Sequence, residues 1–484
     1  MHQSSRSIRQ RLDHPVIDID GHCIEFFPGL ARYLREEGLE LASPSLARLL
    51  PPYFGPDASW HALSAAARAD RRAVRPPWWG APAKNTRDLA TAMFPHLLHE
   101  RLDEFGIDVS VVYPSAGLAF LHLWDERERR GACRALNRAN ADAFAGLDDR
   151  LIPVAAIPMH TPEEAVEGLQ HAVQELGFKA VLLAGYVQRP VAAVTNAHPE
   201  LPELAQWSTW IDMYGIDSAY DYDPVWTACR DLGVAVAFHS GSIGWGSRMS
   251  PSNYMYNHIG HLAEGQHALA KSLFLGGVTN RFPELNFVFL EGGVAWAATL
   301  YSDLIGHWEK RNRAALDHLD PAHIDKKTFF DLMERYGGPF VAGSEPLRVS
   351  RPSEDPAMLD EFAACGIERA EDIAARFVDP FYFGCEADDP LTATAFNEKL
   401  NPFGARLHAM FGSDVSHWDV PDMTEVLEEA WEMVDHGWID TTDFRDFVFT
   451  NPVRFFTRVN PSFFAGTVVE HDVAQLLAGK AETR

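Results

Sequence analysis

The 484-residue chain has few cysteines and no long apolar run. Its five cysteines are odd in number, widely spaced and never arranged as C-x-x-C, which predicts reduced thiols rather than a disulfide framework. No apolar run approaches the length of a transmembrane helix. The polar segment Met1–His14 lacks the apolar stretch of a secretory signal. We therefore expect a cytoplasmic protein that has no membrane partner.

Positive charge is also scarce. Lysine and arginine total 42 against 68 aspartate and glutamate residues, which gives a formal net charge of −26. Because nucleic acids and anionic membranes are themselves negatively charged, this balance argues against either as the main partner. The charge fits a neutral or cationic small molecule, or a metal cation, as the ligand.

Three common catalytic motifs are missing. The phosphate-binding motif G-x-x-x-x-G-K-[ST] is absent, and the glycines of residues 241–246 do not match the dinucleotide-binding motif G-x-G-x-x-G. Neither Ser240 nor Ser242 lies in the nucleophile motif G-x-S-x-G. Nucleotide-dependent chemistry and serine-nucleophile chemistry therefore find no support in the sequence.

What the chain does contain is a repeated pattern of a short apolar run, a turn and a helical stretch. Eight such runs predict buried parallel strands. Eight β/α units favour a (β/α)8 TIM barrel, and an open doubly wound sheet is the alternative. The runs are Val16–Asp20, Val109–Pro114, Ile152–Pro158, Ala180–Gly185, Val234–Ser240, Phe287–Gly292, Phe381–Glu386 and Ala405–Asp414.

Two segments exceed the minimal β/α unit, and we predict one barrel domain over residues 1–484 that carries both as insertions. Residues 31–105 contain proline-rich and tryptophan-rich pieces, and residues 300–378 are mostly charged and helical in pattern. Both follow strand ends, so they are expected near the C-terminal face of the barrel. Trp78 and Trp79 would then bind substrate, or would form a buried aromatic clasp within the insertion.

Acidic and imidazole side chains stand at the predicted C-terminal ends of four strands, where TIM barrels carry their chemistry. A carboxylate at such a position often caps the next helix, and a single histidine is often a core residue. Four strand ends of this kind together indicate a metal site, since imidazole and carboxylate are ligands of zinc, iron and manganese. The candidates are Asp20 and His22, which share a strand face with Asp18, then Glu25, His239, Glu291 and Asp414.

Two further histidines lie between the fifth and sixth strands. His258 and His261 are three residues apart on a predicted helix and therefore share a face. Either one could ligate the metal, and simple packing is the alternative. Glu264 shares a face with His261 and could orient it from behind.

Together these motifs resemble the amidohydrolase-related branch of the amidohydrolase superfamily, over about residues 14–30 and 100–460. Asp20-Gly-His22 is similar to the H-x-H or E-x-H of its first strand, and His239 matches its fifth-strand histidine. Asp414 and His417 match its G-S-D-x-x-H motif, and Asn451–Phe456 is similar to its C-terminal segment. The resemblance implies a TIM barrel, often dimeric, and a divalent metal held by Asp20, His22, His239 and Asp414.

Glu291 departs from that branch, whose decarboxylases and hydrolases carry a catalytic histidine on the sixth strand. This departure argues against a decarboxylase, because the key residue of that reaction is missing. A glutamate there could bridge two metals, and Glu25 and His261 would bring the set to about seven ligands, a balance that iron accepts. The segments Asn257–His261 and Phe289–Gly293 then resemble the nonheme diiron oxygenase group of the superfamily, which includes the diterpenoid hydroxylase of platensimycin and platencin biosynthesis.

The resemblance implies a nonheme dinuclear-iron monooxygenase that uses O2 to hydroxylate an apolar small molecule, such as a diterpenoid. Glu291, Asp414 and His417 would be its catalytic residues. The alternative is a zinc or manganese hydrolase of an amide, ester or C–C bond, in which Asp414 accepts a proton from metal-bound water. A non-enzymatic barrel that binds a partner is a third hypothesis, and it would contain no stoichiometric metal.

Overall fold

The computed structural model describes residues 4–41, 43–47, 60, 62–77, 84–344 and 358–481. Trp78 and Trp79, the predicted substrate-binding pair, lie outside the described residues. Among the helices within these ranges, none has both the length and the apolar character that a membrane span needs.

Eight parallel strands form the α/β barrel that the sequence predicts, and each is hydrogen-bonded to its neighbours in chain order. Two backbone hydrogen bonds join the last strand to the first at the C-terminal end of the barrel: Asp414 N donates to Asp20 O over 2.9 Å, and His22 N donates to Val415 O over 3.1 Å. The strands are β1 Ile17–Cys23, β2 Val109–Pro114, β3 Leu151–Ile157, β4 Ala180–Leu183, β5 Val236–Phe238, β6 Phe287–Phe289, β7 Phe381–Glu386 and β8 His408–Gly412.

Four strands are shorter than predicted, namely β4, β5, β6 and β8. The last three each leave the regular ladder one or two residues before a predicted functional residue. The backbone of Glu291 then adopts a φ of +58° and that of Asp414 a φ of +47°, which no regular strand contains. The apolar runs correctly located the strands, and the irregular ends reflect how the chain turns into the mouth of the barrel.

Helices cover the outside of the barrel and explain why the strands are apolar on both faces. Polar side chains start several of them: Asp125 Oδ1 accepts from Glu128 N over 2.9 Å, and Thr161 Oγ1 accepts from Glu164 N over 3.2 Å. The covering helices are Glu126–Ala143, Pro162–Gln170 with a π-helical turn His171–Glu175, Asp223–Leu232, His261–Leu275, Ala295–Arg311, Val426–Asp435 and Asn451–Thr457.

Shorter elements fill the connections. A two-stranded antiparallel hairpin pairs Val187–Pro190 with Thr209–Asp212. The remaining helices and helical turns are Ser5–Arg9, Phe27–Glu36, Pro44–Ala47, Ala65–Asp70, Thr86–Met93, Pro95–Phe105, Ser115–Phe120, Ala192–Ala197, Leu204–Trp207, Tyr254–His258, Val278–Arg281, Ala315–Leu319, Pro321–His323, Lys326–Tyr336, Gly338–Val341, Ala363–Cys365, Asp372–Phe377, Pro390–Phe396, Pro402–Gly404, Thr441–Arg445, Asp446–Thr450 and Glu470–Ala481.

The two insertions differ in their relation to the mouth of the barrel. The first reaches over it: Arg75 N donates to Ser250 O over 3.0 Å, and Pro77 lines the cavity described below. In the second, the helix Lys326–Tyr336 buries no residue, and none of its described neighbours in 300–378 lines that cavity. The first insertion therefore helps to shape the site, whereas the described part of the second lies away from it. That the whole chain forms one domain stays a prediction.

Candidate metal centre

The first strand contains an irregularity that separates its polar residues. Asp18 pairs with Ser110, but Gly21 pairs with Val112, so β1 has one extra residue in this interval. The Asp18 carboxylate accepts hydrogen bonds from Ser110 Oγ over 2.6 Å and from Ser413 N and Oγ, each over 2.9 Å. Asp18 is thus a satisfied structural residue, and the strict alternation that placed it beside the metal candidates does not hold.

Gly21 is required by this arrangement. A Cβ at that position would lie 2.4 Å from Ser110 Oγ and 2.7 Å from Asp18 Oδ2. Any side chain there would therefore push the serine and the carboxylate apart. The glycine between Asp20 and His22 therefore lets β1 pack closely against the hydrogen-bonded layer formed by Asp18, Ser110 and Ser413.

Four predicted ligands converge above that layer. His22 Nε2 lies 3.4 Å from Asp20 Oδ1 and 3.4 Å from Asp414 Oδ1, and His239 Nε2 lies 3.7 Å from Asp20 Oδ1. All four residues are at most 5% exposed. The barrel closure between β1 and β8 brings Asp20 and Asp414 together, and β5 supplies His239 from the opposite wall.

Glu291 and His417 extend this group of donors. Glu291 Oε2 lies 2.9 Å from His239 Nε2, and His417 Nδ1 lies 2.6 Å from Asp414 Oδ1. The rings of His22 and His417 have their centroids 3.8 Å apart. Two sets of residues each offer ligand atoms within 4.8 Å of one another. One set is Asp20, His22 and His239, and the other is His22, Glu291, Asp414 and His417, so the two sets share His22.

The buried donors lack the partners that such groups normally have. Asp20 Oδ1, both ring nitrogens of His22 and of His239, and both carboxylate oxygens of Asp414 have no hydrogen-bond partner. A buried polar group left in this way costs about 1–3 kcal/mol. Because a cation would coordinate these same atoms, the donor set fits a divalent metal with imidazole and carboxylate ligands.

The two predicted histidine ligands differ in their electrostatics, and only His22 is held neutral in the metal-free protein. Burial lowers the pKa of His22 well below its ordinary value, which keeps the ring neutral as a metal ligand requires. Burial also lowers the pKa of His239, but the Asp20 and Glu291 carboxylates outweigh it and raise this pKa to about 9. Burial raises the pKa of Glu291, while His239 more than reverses this and lowers it to about 2.

Backbone strain occurs at two of these donors. Glu291 and Asp414 both have positive φ, a region that residues with a Cβ rarely adopt. Such strain persists only where the surrounding structure imposes it, and it is often found at functional sites. Glu291 and Asp414 each lie two residues after the last residue of a strand, and the turn brings the carboxylate into the donor group.

A cavity of about 1030 Å³ opens onto the donors. His239, Glu291 and His417 line it from the metal side. Aromatic rings form part of the remaining wall: His122 is stacked on Tyr186 with ring centroids 4.5 Å apart. Among the described residues that line the cavity, none is a lysine or an arginine. A substrate would therefore contact aromatic side chains and the metal-binding donors. Among the described lining residues, only histidines can carry a positive charge.

Glu25, His258 and His261 also line the cavity, but none belongs to the donor groups found among the described residues. The His258 and His261 rings are 4.7 Å apart, and burial together with His258 lowers the pKa of His261 to about 3. Whether Glu25 or His261 ligates metal stays a prediction. Glu264 does not orient His261 as expected, because its carboxylate instead binds Arg248 and Ser242 Oγ.

Three residues near the donors were not identified from the sequence. Glu386 and Asp419 each offer an oxygen within 4.8 Å of Glu291 and of each other. Glu386 is the last residue of β7, so the rule that selected the other strand ends would also have selected it. Asp419 lies in the loop after β8 and gives no such signal. Ser115 Oγ lies 3.1 Å from His417 Nε2, a contact that only the fold reveals.

The chain has recognisable relatives among known proteins. A family model described as Amidohydrolase matches residues 107–458. Gamma-resorcylate decarboxylase of Rhizobium sp. is 24% identical over 232 residues, which are 48% of this chain and 63% of that protein. Gamma-resorcylate decarboxylase of Polaromonas sp. is 30% identical over 124 residues, 25% of this chain and 36% of that protein. The chain thus matches less than two thirds of the length of either relative.

A solved structure agrees with the barrel fold. An amidohydrolase from Mycobacterium avium subsp. paratuberculosis has a TM-score of 0.53 and 17% identity, over 92% of this chain and 100% of that one, and at this identity the likeness concerns the fold alone. Another solved structure that matches, the 2,6-dihydroxybenzoate decarboxylase from Rhizobium, has a TM-score of 0.49 and 16% identity, over 92% of this chain and 99% of that one.

The prediction of a dinuclear-iron monooxygenase is wrong. Both curated relatives are decarboxylases, the class against which the glutamate at position 291 seemed to argue. The comparisons give no support to iron or O2. The error has a physical reason: a mixed set of imidazole and carboxylate ligands suits manganese, zinc and iron alike, so a count of ligands does not define a reaction.

Proposed function

This chain belongs to the amidohydrolase family, and we propose that it is a metal-dependent decarboxylase of a small organic acid. The observation that carries the proposal is the buried, unpartnered group of imidazole and carboxylate donors that adjoins a cavity of about 1030 Å³. The two gamma-resorcylate decarboxylases, at 24% and 30% identity, support decarboxylation as the reaction. A hydroxylated aromatic acid is therefore the proposed substrate class.

The charge of the cavity gives a physical reason for the metal. The described lining includes Glu25, Asp125, Glu128 and Glu291 and has no lysine or arginine. An anionic acid would be repelled from such a cavity unless a cation were present. Asp20, His22, His239 and Asp414 would hold a divalent cation, whose positive charge would attract the acid and polarise it.

In the proposed reaction the bond between the substrate carbon and its carboxylate breaks. Its electron pair stays on the substrate carbon, that carbon takes up one proton, and CO2 leaves. The protein must therefore place a proton donor in the cavity. Glu291 is poorly suited, since His239 holds its pKa at about 2 and the carboxyl is ionised at neutral pH.

His417 is the proposed proton donor. Its ring lines the cavity, Nε2 lies 3.1 Å from Ser115 Oγ, and Nδ1 lies 2.6 Å from Asp414 Oδ1. As a metal ligand Asp414 would be ionised, and its carboxylate would accept a hydrogen bond from His417 Nδ1 and so orient the ring. His417 would thus supply the imidazole that related decarboxylases carry on the sixth strand, where this chain has Glu291.

The proposal is tested with Mn²⁺-loaded protein, gamma-resorcylate and a series of other hydroxybenzoates. We expect CO2 and the decarboxylated product in equal amounts, in air and without O2, with activity lost on chelation and restored by Mn²⁺. His417→Gln should lower the rate at least about 100-fold, whereas the exposed control His318→Ala should not change it. Absence of CO2 from every acid with metal-loaded protein, or a product that requires O2, would overturn the proposal.

A further inference from the structure

A second group of acidic side chains includes Glu291. It consists of Glu291, Glu386 and Asp419, whose carboxylate oxygens lie within 4.8 Å of one another. Glu291 and Asp419 follow β6 and β8, and Glu386 is the last residue of β7; the three strands are consecutive in the barrel. Glu291 lines the cavity, whereas Glu386 and Asp419 do not, so the group adjoins the proposed substrate site through Glu291.

No lysine or arginine neutralises this group. Within the described ranges, neither Glu386 nor Asp419 forms an ion pair with a lysine or an arginine, while Glu291 is paired with His239 at 2.9 Å. Carboxylates at such separations repel one another unless a cation or protons lie between them. Among the described residues, the structure therefore supplies a cationic partner to Glu291 but no lysine or arginine to Glu386 or Asp419.

A fourth carboxylate, that of the buried Asp414, lies against the group. Asp414 is 3% exposed; its Oδ1 lies 2.6 Å from His417 Nδ1, and its Oδ2 has no hydrogen-bond partner. Its carboxyl contacts that of Asp419, whose own Oδ1 is also buried and unpartnered. An acidic surface cluster would be solvated, but Asp414 Oδ2 and Asp419 Oδ1 are shielded from water. Unsatisfied oxygens from two residues thus meet beside Glu291 and Glu386.

We propose that Glu291, Glu386 and Asp419 form a second cation site, next to the imidazole-containing metal centre. The donors are all carboxylate oxygens, which favour the hard divalent cations Mn²⁺, Mg²⁺ and Ca²⁺ over softer metals. Glu291 belongs to both donor groups and links the two sites. The inference concerns cation binding and does not depend on the proposed decarboxylation.

The test measures bound Mn²⁺ directly, by electron paramagnetic resonance titration of the chelator-treated 484-residue chain. We expect two Mn²⁺ per chain. Glu386→Gln and Asp419→Asn should each weaken one of the two sites about 10- to 100-fold and leave the other in place. Mg²⁺ or Ca²⁺ in excess should displace the ion that these variants lose. Asp388→Asn, which removes an exposed charge two residues from Glu386, is the matched control and should still bind two.

Thermal unfolding provides a second measurement, which identifies any variant that is misfolded. Without metal, Glu386→Gln removes a repelling charge and should melt at or above the temperature of the parent, and added Mn²⁺ should raise it by less than in the parent. One Mn²⁺ per chain in the parent, or two in both variants, would overturn the proposal. Neither result would affect the decarboxylase proposal, which is measured by CO2 release.

Discussion

β1 carries two buried carboxylates, Asp18 and Asp20, which differ in their hydrogen bonding. The polar residues around Asp18 form the lower layer, and those around Asp20, at the mouth of the barrel, form the mouth layer. Asp18 is fully buried and accepts four hydrogen bonds from Ser110, Ser413 and the Asp20 amide. Asp20 is 2% exposed, and its Oδ1 has no hydrogen-bond partner. The two carboxylates are almost equally buried, so burial does not distinguish a structural carboxylate from a candidate metal ligand. The number of hydrogen-bond donors near each carboxylate does distinguish them.

This difference between the layers is a general way to identify a ligand site in this barrel. Around Asp18 the lower layer is complete, since serine hydroxyls meet carboxylate oxygens. The mouth layer is incomplete, since Asp20, His22, His239 and Asp414 all present unpartnered atoms. An incomplete polar layer is costly unless a ligand completes it. The following substitutions are chosen to break or sharpen this contrast.

The largest effect is expected for His239→Ala, which removes a donor from the mouth layer. We expect metal affinity and metal-dependent activity to fall at least about 100-fold, because one imidazole ligand is lost. The neighbouring barrel strands pair through backbone hydrogen bonds that do not involve the His239 side chain, so the metal-free variant should stay folded. Elemental analysis, activity and circular dichroism check this, with His318→Ala as control. Full metal content in His239→Ala would show that His239 is not a metal ligand.

A paired substitution tests the contrast directly. Asp18→Asn should lower the free energy of unfolding of the metal-free protein by about 1–3 kcal/mol, because an amide nitrogen would face serine donors. Asp20→Asn should change it by less than about 1 kcal/mol and should instead weaken metal binding. Urea unfolding and metal titration measure the two quantities. Equal losses of stability in the two variants would contradict the distinction between the layers.

The metal-free protein should lose stability from neutral pH to about 9. Burial and neighbouring carboxylates raise the pKa of Glu386 from 4.5 to about 9, and Asp20 and Glu291 outweigh burial and raise that of His239 from 6.5 to about 9. In this interval the folded protein retains protons that the unfolded chain has released, so stability falls as pH rises. Burial lowers the pKa values of His22 and His261, so these two residues change the stability only below about pH 6.5.

Calorimetry with chelator at several pH values measures this dependence. Added Mn²⁺ should flatten it, because bound cations replace the protons on the carboxylates. Glu386→Gln should reduce it, since one of the two titrating groups is removed. A melting temperature that is constant or rises with pH in the chelated parent would contradict the prediction.

The smallest effect is expected for Ser115→Ala. The hydroxyl lies 3.1 Å from His417 Nε2, and loss of one such hydrogen bond is worth about 1 kcal/mol, or roughly fivefold in rate. We expect kcat to fall by that amount and its pH profile to shift, with KM nearly unchanged. Ser45→Ala, at a serine elsewhere in the cavity, is the control. A change in KM alone would indicate that Ser115 binds substrate and does not position His417.

Much of the fold was predictable because it depends on patterns along the chain. The eight apolar runs correspond to the eight barrel strands, since strands buried on both faces must be continuously apolar. The rule that polar residues at strand ends meet in a TIM barrel brought Asp20, His22, His239 and Asp414 to one place. The same rule applied to Phe381–Glu386 would have added Glu386.

Other features depend on contacts that no local pattern encodes. The bulge in β1 separates Asp18 from Asp20, although alternation placed them on one face. Asp419 reaches the site from the loop after β8 and Ser115 from the helix after β2, and the Glu264 carboxylate binds Arg248 and Ser242. The reaction was wrongly predicted, because ligand types restrict the metal but not the substrate or the bond that breaks.

By itself, the sequence determined the α/β barrel and the kind of donors at its mouth, because strand periodicity and strand-end position are local properties. Only the tertiary structure decided which buried polar groups are satisfied. Asp18 finds its donors on β2 and just after β8, residues 92 and 395 positions away, whereas Asp20 finds none for Oδ1. Hydrogen-bond satisfaction depends on chain segments that meet only after folding, and this is why the site could be located, but not interpreted, from the sequence.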